Sequence, residues 1–413
     1  MNKYQNKYQL PNLPLPAPLL GSKTGTFTEY TVTKRMPDIA HRVIKENNFP
    51  PEINQNLEKL ASELKNGYLQ PLKNDHSIDF YHWEKYLEIH KNQRWLDVPW
   101  FLAETYFYRL ILNITNYFQP GKNHQLDPFL LQKEQGLEAS IDAIIYLCTQ
   151  VEKWLDDSQK QDKPSKSSLI ALLYFSLWGN RVDLSLWSAF EENRSSFDIQ
   201  TQLTNILVDD SFAVTKLLTK SAHNRIDIVL DNAGFELICD LCLVNFLLDS
   251  GFAAQVHLHL KPHPTFVSDA MIKDVHYTQE FLAAGSHPQV KSFSKRLNKN
   301  INSGRLVLQE DYFWTSPLAF WQIPKLLKDE FAKSNLIIVK GDANYRRLLG
   351  DLEWDYTTNF ADIVAYLPTP MVALRTLKSE VAAGLKAEIL TELATIDPKW
   401  LTNGQWGVIQ LVH

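Results

Sequence analysis

Cysteine is scarce in this chain: Cys148, Cys239 and Cys242 are the only three in 413 residues. An odd, sparse set excludes a disulfide framework and points to a reducing compartment. Cys239 and Cys242 have CxxC spacing, but they fall in the apolar run 237–248 and no second pair completes a zinc site, so core packing is their expected role. Long hydrophobic runs are missing too. That same run is well short of the ~20 apolar residues that span a bilayer and is interrupted by Asp240, so no membrane segment is expected. Excess positive charge is also absent: 42 Lys and Arg stand against 47 Asp and Glu, a net charge of -5. Without a diffuse positive field a nucleic-acid partner is disfavoured, and any anion has to be captured by a local pocket. No internal repeat or low-complexity tract occurs. The first residues, with prolines at 11, 14, 16 and 18, lack the basic-then-apolar order of a signal peptide. An extended arm over residues 1–24 and a soluble, cytoplasmic protein are therefore expected.

What is present is a globular composition, 45% hydrophobic and 12% aromatic with 11 Trp, in a chain too long for one core of ~250 to 300 residues. Two domains are expected. From about residue 36 to 207 apolar residues recur at three- and four-residue spacing, which predicts a helical domain over residues 25–210. After about residue 217 short apolar strands, at 226–230, 255–260, 306–308, 336–339 and 363–367, each precede a polar turn and a helix. The predicted fold class is α/β: a helical N-terminal domain followed by a mostly parallel-sheet, Rossmann-like α/β/α domain over residues 211–413. In such sheets ligands bind beyond the carboxyl ends of the strands.

The residues after each predicted strand are therefore the candidates for chemistry. The first strand ends in Asp231 and Asn232, hard oxygen ligands suited to Mg²⁺ or Mn²⁺, with Gly234 permitting the close turn. Alone, either side chain would serve as a helix cap. Further acids favour the metal: Glu236 and Asp240 lie four apart on the following helix, and the stiff, proline-containing segment 261–269 presents Asp269 as a third oxygen ligand. His257, His259 and His263 do not share one side of this segment, which speaks against zinc. The fourth strand leads into Lys340, Gly341, Asp342, Ala343, Asn344, Tyr345 and Arg346, where helix N–H groups with Lys340 and Arg346 form a phosphate-sized anion site. Beyond the fifth strand, Arg375 and Lys378 are expected to share a helix face, with Thr376 adding a hydroxyl. Acids from the first loops would hold a metal, and bases from the last would hold a phosphoryl group. In the helical half Glu104, Arg109, Asn180 and Asp183 either reach over the site to read hydroxyls or form internal ion pairs.

DNAGFE at 231–236, FVSD at 266–269, KGDANYRRLLGD at 340–351 and RTLK at 375–378 resemble the damage-control metal-dependent phosphatases, formerly a family of unknown function, and particularly their sugar-phosphate branch. PWFLAETYFYR at 99–109 and LWGNRVDLS at 177–185 extend the resemblance, which runs in order over about residues 25–411. It implies that Asp231, Asn232 and Asp269 bind one divalent ion (Mn²⁺ or Mg²⁺, with Co²⁺ or Ni²⁺ as further candidates), and that Asp342 to Arg346 with Lys378, beside Glu236, bind substrate. It further implies a helical domain capping the α/β/α domain and a small phosphorylated metabolite such as fructose 1-phosphate as substrate. Asp231 and Asp269 are the catalytic candidates, acting on a water in line with the leaving group or, for Asp231, as a nucleophile. Some relatives carry a second label, S-adenosylmethionine-dependent carboxyl methyltransferase. A missing glycine-rich loop after the first strand and two basic loops favour the phosphatase.

Overall fold

The computed structural model describes residues 9–73, 75–160, 165–179, 205–220 and 223–413. Seven strands form one sheet: β1 (Ile206–Asp209), β2 (Arg225–Val229), β3 (Gln255–Leu260), β4 (Leu306–Glu310), β5 (Leu336–Lys340), β6 (Met371–Thr376) and β7 (Gly407–Val412), in the order β1-β7-β6-β5-β2-β3-β4. The strands β4, β3, β2, β5 and β6 are parallel, β7 runs antiparallel to β6, and β1 is parallel to β7. Buried apolar strands crossed by helices form a parallel sheet because both faces must be covered. The mixed α/β class and the mostly parallel sheet agree with the sequence pattern. The sheet takes its first strand from Ile206, ahead of residue 211, where the pattern placed the start of the second domain.

One strand was misplaced. Residues 363–367 are the end of a short helix, Phe360–Ile363, and a turn, while the strand is Met371–Thr376. Pro368 and Pro370 stand before it, where a residue without an N–H leaves no ladder bond unmade. Arg375 and Thr376 therefore sit at a strand end and not on a helix.

Alternation along the strands divides the core in two. Leu336 and Ile338 face one apolar cluster, with the helices Ile141–Lys160, Lys166–Trp178, Phe235–Asp249 and Pro288–Asn302. Ile337 and Val339 face the other, which includes Trp83, Trp95, Trp100 and Tyr106 of the N-terminal half. The helix Phe235–Asp249 is buried from Phe235 to Leu248 because it lies between the sheet and further helices, so no amphipathic stripe is needed. Cys148, Cys239 and Cys242 are buried and unbridged there. Among the described residues no helix is long and apolar enough to cross a membrane.

The chain passes from β2 to β3 and β4 on one side and returns to β5 and β6 on the other. The two connections diverge between β2 and β5, which opens a crevice at their carboxyl ends. Residues 231 and 341 follow these two strands directly.

Candidate active site

The loops after β2 and β3 are joined at the backbone. Ala233 donates its N–H to Ser268 O, and Ala270 donates to Asp231 O, both at 2.7 Å. This pairs Asn232 with Asp269 as an antiparallel bridge, so two segments distant in sequence present their side chains together. The turn that achieves it is strained: Phe266 and Val267 both have positive φ, 46° and 68°, and a β-branched residue rarely adopts that region.

Asp231, Asn232 and Asp269 line one cavity of about 160 Å³ with Ser268, Phe266, Asp342, Ala343, Arg346 and Lys378. Phe27, Arg35, Trp100 and Glu104 complete its wall from the N-terminal half. The Asn232 amide is fixed in one orientation. Its Nδ2 donates to Asp231 Oδ2 (2.9 Å) and Glu236 Oε2 (2.8 Å), and its Oδ1 accepts from Ser268 Oγ at 2.6 Å. Gly341 (φ +81°) lies so close that an added Cβ would be 2.0 Å from Asp231 Oδ2.

Electrostatics at this floor favour a cation. Burial first, then the charges of Asp269 and Glu236, push the Asp231 carboxyl well above the ordinary carboxylate range. Burial likewise raises Asp269 to about 6, against the pull of Lys261. Lys261 Nζ stands 3.3 Å from Asp269 Oδ2. That buried oxygen nevertheless has no hydrogen-bond donor. Two carboxylates and one oriented amide, one oxygen of them orphaned, form a donor set that fits a hard divalent ion. Among the described residues no three His, Cys, Asp or Glu side chains gather as ligands, so a third donor beside these two carboxylates would have to be the Asn232 amide. Two of the three histidines are employed elsewhere: His259 bonds Asp227 at 2.8 Å, and His263 lies 3.5 Å from Asp79.

Several predicted substrate residues are structural. Lys340 is buried beneath the site, 3.2 Å from Asp240 and 3.6 Å from Glu236, and donates to Ser176 O. It shares the sheet face of Ile338 and points away from the cavity. Asn344 is committed to Lys261 Nζ (3.2 Å) and to the carbonyls of Leu230 and Lys340. Tyr345 stacks on Phe360 and donates to Gln410 Oε1. Arg375 pairs with Asp342 at 2.8 Å, holding the loop that carries Lys378, and Thr376 is buried outside the cavity lining. Arg109 forms internal ion pairs with Asp75 (2.8 Å) and Asp79 (3.0 Å), the alternative the sequence left open. Glu104 does both jobs: it lines the cavity and pairs with Arg346 at 2.6 Å. Asn180 and Asp183 lie outside the described residues.

Phe27, Arg35, Trp100 and Ser268 were not singled out by the sequence. Ser268 stands inside FVSD and was legible as a neighbour of Asp269. The other three come from helices whose docking on the sheet leaves no local pattern.

The buried Lys340 cluster leads to a pH-dependent expectation. Burial and Glu236 raise the Asp240 carboxyl to about 7, although Lys340 pulls it down. A folded value above the unfolded one means that the fold holds this proton more tightly, so its stabilisation is present at low pH and lost as pH rises from about 4 to about 7. Urea unfolding should therefore show the margin of wild type over Asp240→Asn shrinking between about pH 4 and about pH 7. A margin that grows over this range contradicts the burial of a costly charge here.

Comparison with known proteins adds the following. The family model of the damage-control phosphatase ARMT1-like domain matches residues 31–393. Damage-control phosphatase ARMT1 of Xenopus laevis is 34% identical over 442 residues, covering 96% of this chain and 98% of that protein. The Homo sapiens protein of the same name is 32% identical over 436 residues, with the same coverage. A solved duf89 family protein from Pyrococcus horikoshii is 15% identical, with a TM-score of 0.45 over 86% of this chain and 96% of that one.

Proposed function

Because the chain belongs to the damage-control phosphatase ARMT1-like family, we propose that its cavity hydrolyses small phosphorylated metabolites using one divalent ion held by Asp231, Asn232 and Asp269. The observation that carries the reading is the Asn232–Asp269 backbone bridge, which brings two carboxylates and an oriented amide into one small cavity that Lys378 also lines. When bound, Mn²⁺ or Mg²⁺, or alternatively Co²⁺ or Ni²⁺, supplies Lewis acidity toward a phosphoryl oxygen.

The chain's own groups do the rest. Lys378 lines the cavity with no side-chain ion pair among the described residues, so its ammonium is free to take phosphoryl charge. Arg346 is held by Asp351 (2.7 Å) and Glu104 (2.6 Å) and stacks 3.5 Å over Trp100; it acts as a rigid wall with a charge already spoken for. Asp231, on the cavity lining, would either hold the ion or attack the phosphorus. A covalent aspartyl-phosphate would be trappable, whereas attack by water leaves solvent ¹⁸O in the product.

The substrate is small. A cavity of about 160 Å³ lies below the ~300 to 1,000 Å³ of drug-sized pockets and is tight for an adenosyl cofactor. The carboxylates of Glu104 and Asp342 on the wall offer acceptors for hydroxyl groups, which favours a sugar phosphate such as fructose 1-phosphate. The reducing compartment expected from the cysteines supports a cytoplasmic setting for this activity.

Phosphate release from a panel of sugar phosphates, with each of the four ions and with chelator, tests the proposal. Release that requires added metal and stops on chelation is expected. Undiminished release in chelator, or none from any phosphate ester, would count against it.

A further inference from the structure

Two basic side chains in the cavity wall, Arg35 and Lys378, have no side-chain hydrogen bond or ion pair among the described residues. Arg346, the third, is saturated by Glu104 and Asp351. Two carboxylates of the same wall are themselves already paired, Glu104 with Arg346 and Asp342 with Arg375. An unpaired guanidinium at the wall of a polar site has five donors and no side chain of the described residues to receive them.

The local backbone explains how it arrives there. Phe27–Tyr30 and Met36–Glu46 are α-helical, but the turn between them, Thr31–Arg35, is a π-helix. A π-turn widens the helix and re-aims the side chains that leave it, and such turns recur at functional sites. Thr31 and Val32 stay buried in this turn, while Arg35 is exposed and reaches the cavity, as does Phe27 about two turns earlier.

We propose that Arg35 is the substrate-binding residue supplied by the N-terminal half, and that it grips the end of the substrate remote from the phosphoryl group. This rests on the phosphatase reading of the same cavity. The position along the cavity follows from its neighbours. Arg35 enters the cavity with Phe27, Trp100 and Glu104 from the N-terminal half, whereas Asp231, Asp269 and Lys378 stand on loops that follow strands of the sheet. Lys378 therefore serves the carboxylate end and Arg35 the opposite one. There its donors stand beside the acceptors of Glu104 and Asp342, a combination that suits a tail bearing hydroxyl or carbonyl oxygens. Specificity would be set by a helix outside the sheet, and the metal floor would stay indifferent to the tail.

The test separates tail from phosphoryl group. In Arg35→Gln, KM for fructose 1-phosphate should rise at least ~10-fold with kcat within ~3-fold, while the inhibition constant of inorganic phosphate stays within ~2-fold; Arg35→Lys should recover part of the loss. Thermal-shift titration with fructose 1-phosphate gives the same comparison without turnover, and the midpoint without ligand shows that the variant is folded. An unchanged KM overturns the assignment of Arg35 alone, and so does an equal loss for sugar phosphate and inorganic phosphate. A wild type that releases no phosphate but is stabilised by the sugar phosphate through Arg35 overturns the phosphatase reading alone. A wild type that does neither overturns both.

Discussion

Asp231→Asn is expected to lower phosphate release by more than about a hundredfold while leaving the protein folded and, in chelator, at least as heat-stable as wild type. The two halves of this result have one cause. Wild type buries Asp231 (6% exposed) and Asp269 (1%) with Glu236 close by, and Asp231 is raised by burial and by those two negative neighbours. Asn has the same shape without the charge, so the repulsion disappears. The ion, however, loses a charged ligand. Changes in the outer shell of metal sites already cost ~10- to 100-fold in affinity or activity, so loss of a direct ligand should exceed that. Added Mn²⁺ should raise the unfolding midpoint of wild type and leave that of the variant where it was. A variant that unfolds early in chelator would assign Asp231 to the scaffold instead.

Gly341→Ala should be nearly as damaging, for steric reasons. Gly341 has φ +81° and ψ 173°, a region essentially reserved for glycine, which alone costs roughly 1 to 3 kcal/mol for any other residue. The new methyl would also be 2.0 Å from Asp231 Oδ2 and 2.1 Å from its Cγ, so the carboxylate has to move. Its escape is blocked on one side by the Asn232 amide, 2.9 Å away. The expected outcome is a folded protein with lowered denaturant midpoint, weakened metal binding and activity reduced at least about tenfold. Near-wild-type activity would mean that Asp231 does not need the position seen here.

The parts of the site legible in the sequence are those that follow strands directly. Asp231, Asn232 and Asp269 end connections whose strands were found within a residue or two, and the rule that ligands sit at carboxyl strand ends did the rest. Lys340 was misread because charge was weighed without parity. Side chains alternate along β5, and the face of Ile338 is the one covered by the helix carrying Glu236 and Asp240. Asp240, conspicuous in an apolar run, was the sign that a buried cation waited opposite. Arg375 was lost with its strand: proline on both sides of residue 369 reads equally as the end of one strand or the start of the next. Arg35 carries no local signature at all, and Trp100, although inside PWFLAETYFYR, carries none that marks it as a cavity residue. They belong to the cavity because helices distant in sequence dock over the crevice, and single-sequence patterns report periodicity, not docking.

The most direct test of the account is a Mn²⁺ titration, followed by electron paramagnetic resonance or calorimetry near neutral pH, of wild type, Asp231→Asn and Asp269→Asn. One ion per chain in wild type, and loss of that site in both variants with their folds intact, is the predicted result. Equal binding in all three proteins, or none in wild type, would contradict the claim that these two loops converge to hold a metal.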